Sequence, residues 1–251
     1  MQQRIQRFVW VALVLVLLAE ESSTALTQSP LTPFSRATSD HPPAPWRAVG
    51  LPKGRAPLAQ FDIVTLDGAR VLRLHTDKTY GTVVHDVDKF IPTANTTLRW
   101  RWRLDEPVAH ADLRVKAGDD AALKVCLLFD MPSAVLPFRE RVILGLARSI
   151  FDENLPAATL CYVWDVTLPE GTLLSNAHTK RIRYLVLDGK GSHASLGSWK
   201  THERHIAEDF IKAFGHESKD IPPVLAVLAG ADSDSTKSSS LAYVGDISLE
   251  P

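Results

Sequence analysis

Cysteine is scarce in this chain: Cys126 and Cys161 are the only two. They form no Cys-x-x-Cys pair and have no metal-ligand spacing, which excludes a zinc ribbon or a disulfide-dense miniprotein. An excess of one charge is also missing. Lys and Arg number 28 against 29 Asp and Glu, a formal net charge of -1. The whole chain therefore has no general attraction to nucleic acid or to an anionic membrane. Several catalytic signatures are absent as well. There is no Gly-x-Ser-x-Gly elbow, no P-loop, and no Gly-x-Gly-x-x-Gly opening a helix. No apolar run reaches the roughly 20 residues that a membrane-spanning helix needs.

The longest apolar run is FVWVALVLVLLA, residues 8–19. Arg4 and Arg7 precede it, and Ser23-Thr24-Ala25 follow with small side chains. This order predicts a secretory signal peptide over residues 1–25, with an uncleaved anchor as the alternative. No cysteine follows the run, so lipid attachment of the lipoprotein kind is excluded. Residues 26–45, rich in Pro, Ser and Thr, predict a disordered or extended leader. A folded domain is then expected over 46–251, in the periplasm or secreted.

Within that domain, strand patterns recur. FDIVTLDG and ARVLRLHTD (61–77) meet at Asp67-Gly68, a strong hairpin signal. TTLRWRWRLDEP (96–107) alternates strictly, with Leu98, Trp100, Trp102 and Leu104 on one face and arginines on the other. Further strands are expected at 80–87, 121–131, 159–166, 180–190, 222–232 and 240–250. Two helices are expected, one from Leu136 in LPFRERVILGLARSIFDEN and one in HERHIAEDFIKAFG, which stops at Gly215. About nine strands with two helices between them predict an all-β, antiparallel, jelly-roll-like sandwich with one or two inserted helices.

Candidate chemistry is confined to a few places. Asp232-Ser-Asp234 offers hard oxygen ligands at a spacing that calcium loops use, and Asp246 on the last strand is the candidate third ligand. Turn chemistry of Asp and Ser explains the same residues without a metal. Asp119 and Asp120 form a second acidic pair, followed by Lys124 in a strand. Paired carboxylates can act as acid and base on a glycosidic bond if their separation is right. HERH (202–205) is one residue short of a zinc-peptidase motif, although His202, His205 and Asp209 would share a face if the segment were helical. Trp199 lies in a Gly/Ser/His-rich loop, where an aromatic face could stack on a sugar. Cys126 and Cys161 occupy parallel contexts, KVCLLFD and TLCYVWD. Two buried thiols are the simpler expectation, and a cross-strand disulfide requires neighbouring strands in an oxidising compartment.

TTLRWRWRLDEP, AGDDAALKVCLLFD, YVW (162–164), the Trp199 loop, DSDST (232–236) and YVGDI (243–247) occur in an order that resembles the bacterial exported family catalogued as domain of unknown function 3047. The resemblance spans roughly 46–250. The family pattern favours Thr-Asp-Thr-Asp where this chain has Ala231-Asp232-Ser233-Asp234, so both aspartates are kept. The resemblance implies export and carries no activity. The function expected is therefore a non-catalytic binding protein for a carbohydrate or envelope polymer. Its expected contacts are Trp199, Asp119, Lys124, Asp232 and Asp234, and its expected metal, if any, is calcium on Asp232, Asp234 and Asp246. The alternatives are a glycan hydrolase using Asp119, Asp120 or Asp232, and a structural envelope protein that docks through the helix at 136–151.

Overall fold

The computed structural model describes residues 29–151, 155–190 and 195–251. The expected signal peptide over 1–25 lies outside the described residues. Two sheets face each other. The first has seven strands: β1 (Arg47–Val49), β4 (Tyr80–Phe90), β6 (Leu123–Phe129), β7 (Ala158–Pro169), β8 (Leu173–Ser175), β9 (Ile182–Lys190) and β11 (Val224–Asp232). Their order across the sheet is β1-β4-β11-β6-β7-β9-β8. The second sheet holds β2 (Gln60–Leu66), β3 (Ala69–Asp77), β5 (Thr97–Glu106), β10 (Lys200–His205) and β12 (Ser239–Val244) in the order β10-β5-β12-β3-β2. A last strand, β13 (Ser248–Glu250), also pairs with β5. The helices are α1 (Phe138–Phe151) and α2 (Ile206–Phe214). The all-β sandwich with inserted helices is thus the architecture of the chain.

Alternation sets the layers. Leu98, Trp100, Trp102 and Leu104 of β5 are all buried between the sheets, while Arg99 is exposed and Arg101 and Arg103 are half-buried. Across the interface Trp100 meets Tyr162 with ring centroids 5.1 Å apart, and Trp102 meets Trp164 at 6.1 Å. Such ring pairs add about 0.5–1.5 kcal/mol each beyond the area they bury. Trp102 also donates from Nε1 to the buried Asp188 at 2.6 Å, so the polar edge of the indole is satisfied. The β2–β3 hairpin turns at Asp67 (φ 51°) and Gly68 (φ 78°), the left-handed pair that a two-residue turn matched to strand twist requires.

Four details differ from the sequence expectation. First, residues 29–45 are not a disordered leader. Leu31, Phe34 and Ala37 are buried, and Phe34 stacks near Trp46 at 4.8 Å. Thr32 N–H donates to His85 Nε2, and Ile63 N–H donates to the Asp40 carbonyl. The segment is extended, as its prolines dictate, and its apolar residues are core. Second, HERH is strand rather than helix: His202 pairs with Trp100 and His205 with Thr97, and the helix starts only at Ile206. His202, His205 and Asp209 therefore share no helix face. His202 Nε2 instead contacts Asp188 at 2.8 Å, and Asp209 is engaged by Arg204 and Tyr162. Third, β7 and β9 run parallel, because β9 fills the place between β7 and β8. Fourth, Cys126 faces Cys161 across β6 and β7, and the two form a disulfide.

Candidate functional site

One end of the first sheet gathers the acidic residues. β11 lies between β4 and β6, so Asp232, at its end, sits beside Tyr80, at the start of β4. Lys124 pairs with Gly230 on the neighbouring strand. Lys124 Nζ donates to Asp232 Oδ1 at 2.7 Å, and the Ala121 N–H donates to the same oxygen at 3.1 Å. The ammonium also lies 4.9 Å from the centre of the Tyr80 ring. Asp120 accepts from the N–H groups of Ser235 (3.1 Å) and Thr236 (2.6 Å), so it caps the turn that Asp232 and Asp234 begin. Asp120, Asp232 and Asp234 each bring one oxygen within 4.8 Å of the others.

Asp119 faces another way. Asn176 donates from Nδ2 both to Asp119 Oδ2 and, at 2.9 Å, to the Tyr184 hydroxyl. His178 Nε2 lies 3.8 Å from Asp119 Oδ2. Asn176 Oδ1 accepts from the N–H groups of His178 and Thr179, which holds the turn after β8 in shape.

Burial shifts the proton affinity of three carboxylates near the buried Lys124, those of Asp232, Asp119 and Asp234. Burial pushes Asp232 up to about 6, against the opposing pull of Lys124 and the Ala121 N–H. Burial also raises Asp119, with Lys124 and Asn176 opposing. Asp234 is raised by burial and by the Asp120 charge. Lys124 stays protonated: burial would lower it, and the Asp232 carboxylate more than reverses this. Burial raises the Tyr184 hydroxyl, which remains a donor, and its oxygen lies 3.5 Å from Asp119 Oδ1.

The cluster differs from the expected metal set in one member. Asp246 lies beyond the far end of β12 from Ser239, where both its oxygens accept from Ser35, from the N–H at 2.8 Å and the hydroxyl at 2.6 Å. Asp120 takes the third place instead. The donor set fits calcium poorly, because an ammonium and three backbone N–H groups already point at oxygens the cation would need.

Trp199 is not brought to these aspartates. It lies against the second sheet, where Nε1 donates to Asp67 Oδ2 at 2.9 Å and the Arg101 guanidinium lies 4.6 Å from its ring centre.

The open concavity is elsewhere. A groove of about 660 Å³ runs between α1 and the turn joining β8 to β9. Thr159, Ser175, Asn176 and Thr179 border it, and His178 reaches it from the turn. Arg139 and Lys180 add positive charge, while Ile143 and Leu155 add apolar surface. One wall is clamped by ions. Arg181 Nη1 and Arg183 Nη2 each meet a Glu217 oxygen at 2.6 Å. Burial would raise the Glu217 carboxyl, and the two arginines more than reverse that and hold it below the usual range. Sequence reasoning missed this groove. Its residues come from α1, from β7 and from the turn between β8 and β9, which are separate segments of the sequence.

A two-sheet β-sandwich with a buried Lys–Asp centre at one end and an open polar groove beside an inserted helix defines the structural class. The chain belongs to the family described as protein of unknown function (DUF3047), whose model matches residues 44–248. No curated protein matches it. Among solved structures it is similar to the catalytic domain of Cel12A from Humicola grisea, at 7% identity over 82% of this chain and 92% of that one, TM-score 0.43. It is similar to the xyloglucanase domain of NopAA, a type three effector from Sinorhizobium fredii, at 12% identity over 81% and 92%, TM-score 0.42. It is also similar to the glycoside hydrolase domain of Endo-D from Streptococcus pneumoniae R6, at 14% identity and TM-score 0.33, covering 82% of this chain and 21% of that one. The chain thus spans about a fifth of that last protein's length.

Proposed function

We propose that the protein is a non-catalytic binding protein, periplasmic or secreted, whose ligand is a carbohydrate or cell-envelope polymer held in the groove between α1 and the β8–β9 turn. The observation that carries this reading is the groove itself. Its volume of about 660 Å³ falls in the range of small-ligand sites, and its walls mix hydroxyl, amide and cationic groups with a few apolar side chains. Hydroxyl-rich ligands need that mixture: hydrogen-bond partners for the OH groups and apolar contact for the CH faces. Arg139 and Lys180 favour a polymer that carries acidic groups.

Binding is favoured over hydrolysis by where the carboxylates lie. Hydrolysis of a glycosidic bond needs two carboxyl groups facing one cleft. Among the described residues, the only acid lining this groove is Glu140, which pairs with Arg181 at 3.5 Å. Asp119, Asp120 and Asp232 are buried and committed to partners. Asp119 acts in this reading from behind the wall, by fixing Asn176. Export is supported by the Cys126–Cys161 disulfide, since such bonds persist in oxidising compartments.

The test is a glycan-array and calorimetry screen with acidic and neutral polysaccharides. The expected result is saturable binding that falls about tenfold or more in Lys180→Glu, a loss of more than about 1.4 kcal/mol, with unchanged melting temperature. Release of reducing ends by the wild type, abolished in Asp119→Asn or Asp232→Asn, would replace this reading with the hydrolytic one.

A further inference from the structure

The solvent-facing side of α1 is apolar. A surface helix ordinarily turns its apolar stripe inward and its charges outward. Among the described side chains of the helix Leu144 is the buried apolar one, and the side chain of Glu140 is only 16% exposed. Phe138 is 77% exposed, Leu146 61%, Val142 53% and Ile143 50%. At about 100° per residue these four fall within an arc of roughly 140°. They form one apolar stripe, with the exposed Arg139 inside the same arc. The charges beside the stripe are of one sign. Arg139 and Arg141 are exposed on the helix, and its one acid, Glu140, is paired with Arg181.

The helix lies at the end of the sandwich that also holds Ser29. α1 links the end of β6 to the start of β7. Phe129, which closes β6, packs on Phe210 of α2 at 4.8 Å, and Ile206 N–H donates to Thr96, just before β5. Leu249 pairs with Leu98 at that same start of β5, and its N–H donates to Ser29 Oγ. Ser29 is the first described residue.

We infer that α1 docks this end of the sandwich onto an anionic lipid surface. Phe138, Val142, Ile143 and Leu146 would enter the headgroup boundary, while Arg139 and Arg141 reach lipid phosphates along their apolar stems. This surface is distinct from the net charge of the chain, which is near neutral. It also places the groove beside the membrane, because Arg139 and Ile143 border both.

The experiment is vesicle flotation with residues 26–251, which contain every described strand and helix and the whole described core. Omitting residues 1–25 removes the apolar run that would bind vesicles by itself. The vesicles are phosphatidylcholine, with or without phosphatidylglycerol. The expected result is flotation with the anionic vesicles, weakened by salt, and little with the neutral ones. Val142→Glu/Leu146→Glu should lose it at least about tenfold, and Arg141→Glu should lower it less. Should the double variant fold poorly by circular dichroism, Phe138→Ser, at the most exposed position, takes its place. Failure of the wild type to float, or flotation of a folded double variant, overturns the inference. So does a wild-type dimer in analytical ultracentrifugation that the double variant converts to monomer, because the stripe would then be a self-association face.

Discussion

The two ends of the first sheet handle unfavourable surface in opposite ways. At the acidic end, charges are buried and each is given a partner: Lys124 for Asp232, two backbone N–H groups for Asp120, Asn176 for Asp119. At the helical end, apolar side chains are exposed and have no cover among the described residues. Burying charge is tolerated only when geometry repays the lost hydration, so the acidic end reads as architecture. Exposing a contiguous apolar stripe weakens solubility without adding stability, so the helical end reads as an interface. Perturbed proton affinity, by itself a pointer to function, here marks the end whose carboxylates are already engaged by partners.

Substitutions should separate the two ends, and the largest effect is expected at Lys124. Lys124→Ala leaves Asp232 buried beside Asp120 and Asp234, which should cost about 3–5 kcal/mol by chemical denaturation. The same variant sharpens the comparison. With the ammonium gone, the three carboxylates become open to a cation, and excess calcium should restore part of the lost stability. Calcium should leave the wild type unmoved, and a wild-type rise in melting temperature that EDTA reverses would show that the cluster is a metal site after all.

Next in size is the disulfide. Replacing Cys126 and Cys161 together by alanine should cost about 2–4 kcal/mol, since the bridge spans 35 residues.

A smaller effect comes from pH. Asp232, Asp119 and Asp234 hold protons more tightly in the folded state than in the unfolded chain. A carboxyl group raised in this way stabilises the fold as pH falls through its folded value and ceases to add once pH passes below its unfolded value, about 3.9. Glu217 is shifted the other way, so its contribution is present above its unfolded value, about 4.5, and is lost as pH falls through its folded one. Stability should therefore rise, on the order of 1 kcal/mol, between about pH 6.5 and 5. Asp232→Asn should flatten that rise in a melting series. A wild-type stability that falls steadily from pH 6.5 would contradict the charge balance at this end.

The smallest effect should come from the helical end. Val142→Glu/Leu146→Glu should change stability by no more than about 0.5 kcal/mol, as exposed substitutions do. A loss as large as that of Lys124→Ala would mean that the stripe is packed in the folded protein.

Much of the sandwich was legible in sequence because period two survives in it. β5 and the β2–β3 hairpin announce themselves through alternating Leu, Trp and Arg and through Asp67-Gly68. β1 and β8, three residues each, are too short to carry a period. β10 was misread because HERH runs without a break into the amphipathic α2, and only pairing with β5 makes it a strand. Leu31 and Phe34 were hidden by the prolines around them. In α1 the sequence shows Val142 and Leu146 on one face, but periodicity cannot say which face turns inward. The candidate sites were harder still. Asp232 and Asp234 are visible as a pair, yet their third partner is Asp120 rather than Asp246, and this follows from β11 lying beside β6. Groove and acidic cluster alike are made by neighbours distant in sequence, which local pattern does not encode.

The bridge between Cys126 and Cys161 has a further consequence. It closes a covalent ring around the whole excursion from β6 to β7, α1 included. A cut within that ring would leave β6 and β7 covalently joined. A protease that cuts inside α1 would leave a single molecule on a non-reducing gel and two fragments after reduction. The excursion is thus a graft on a sealed stem.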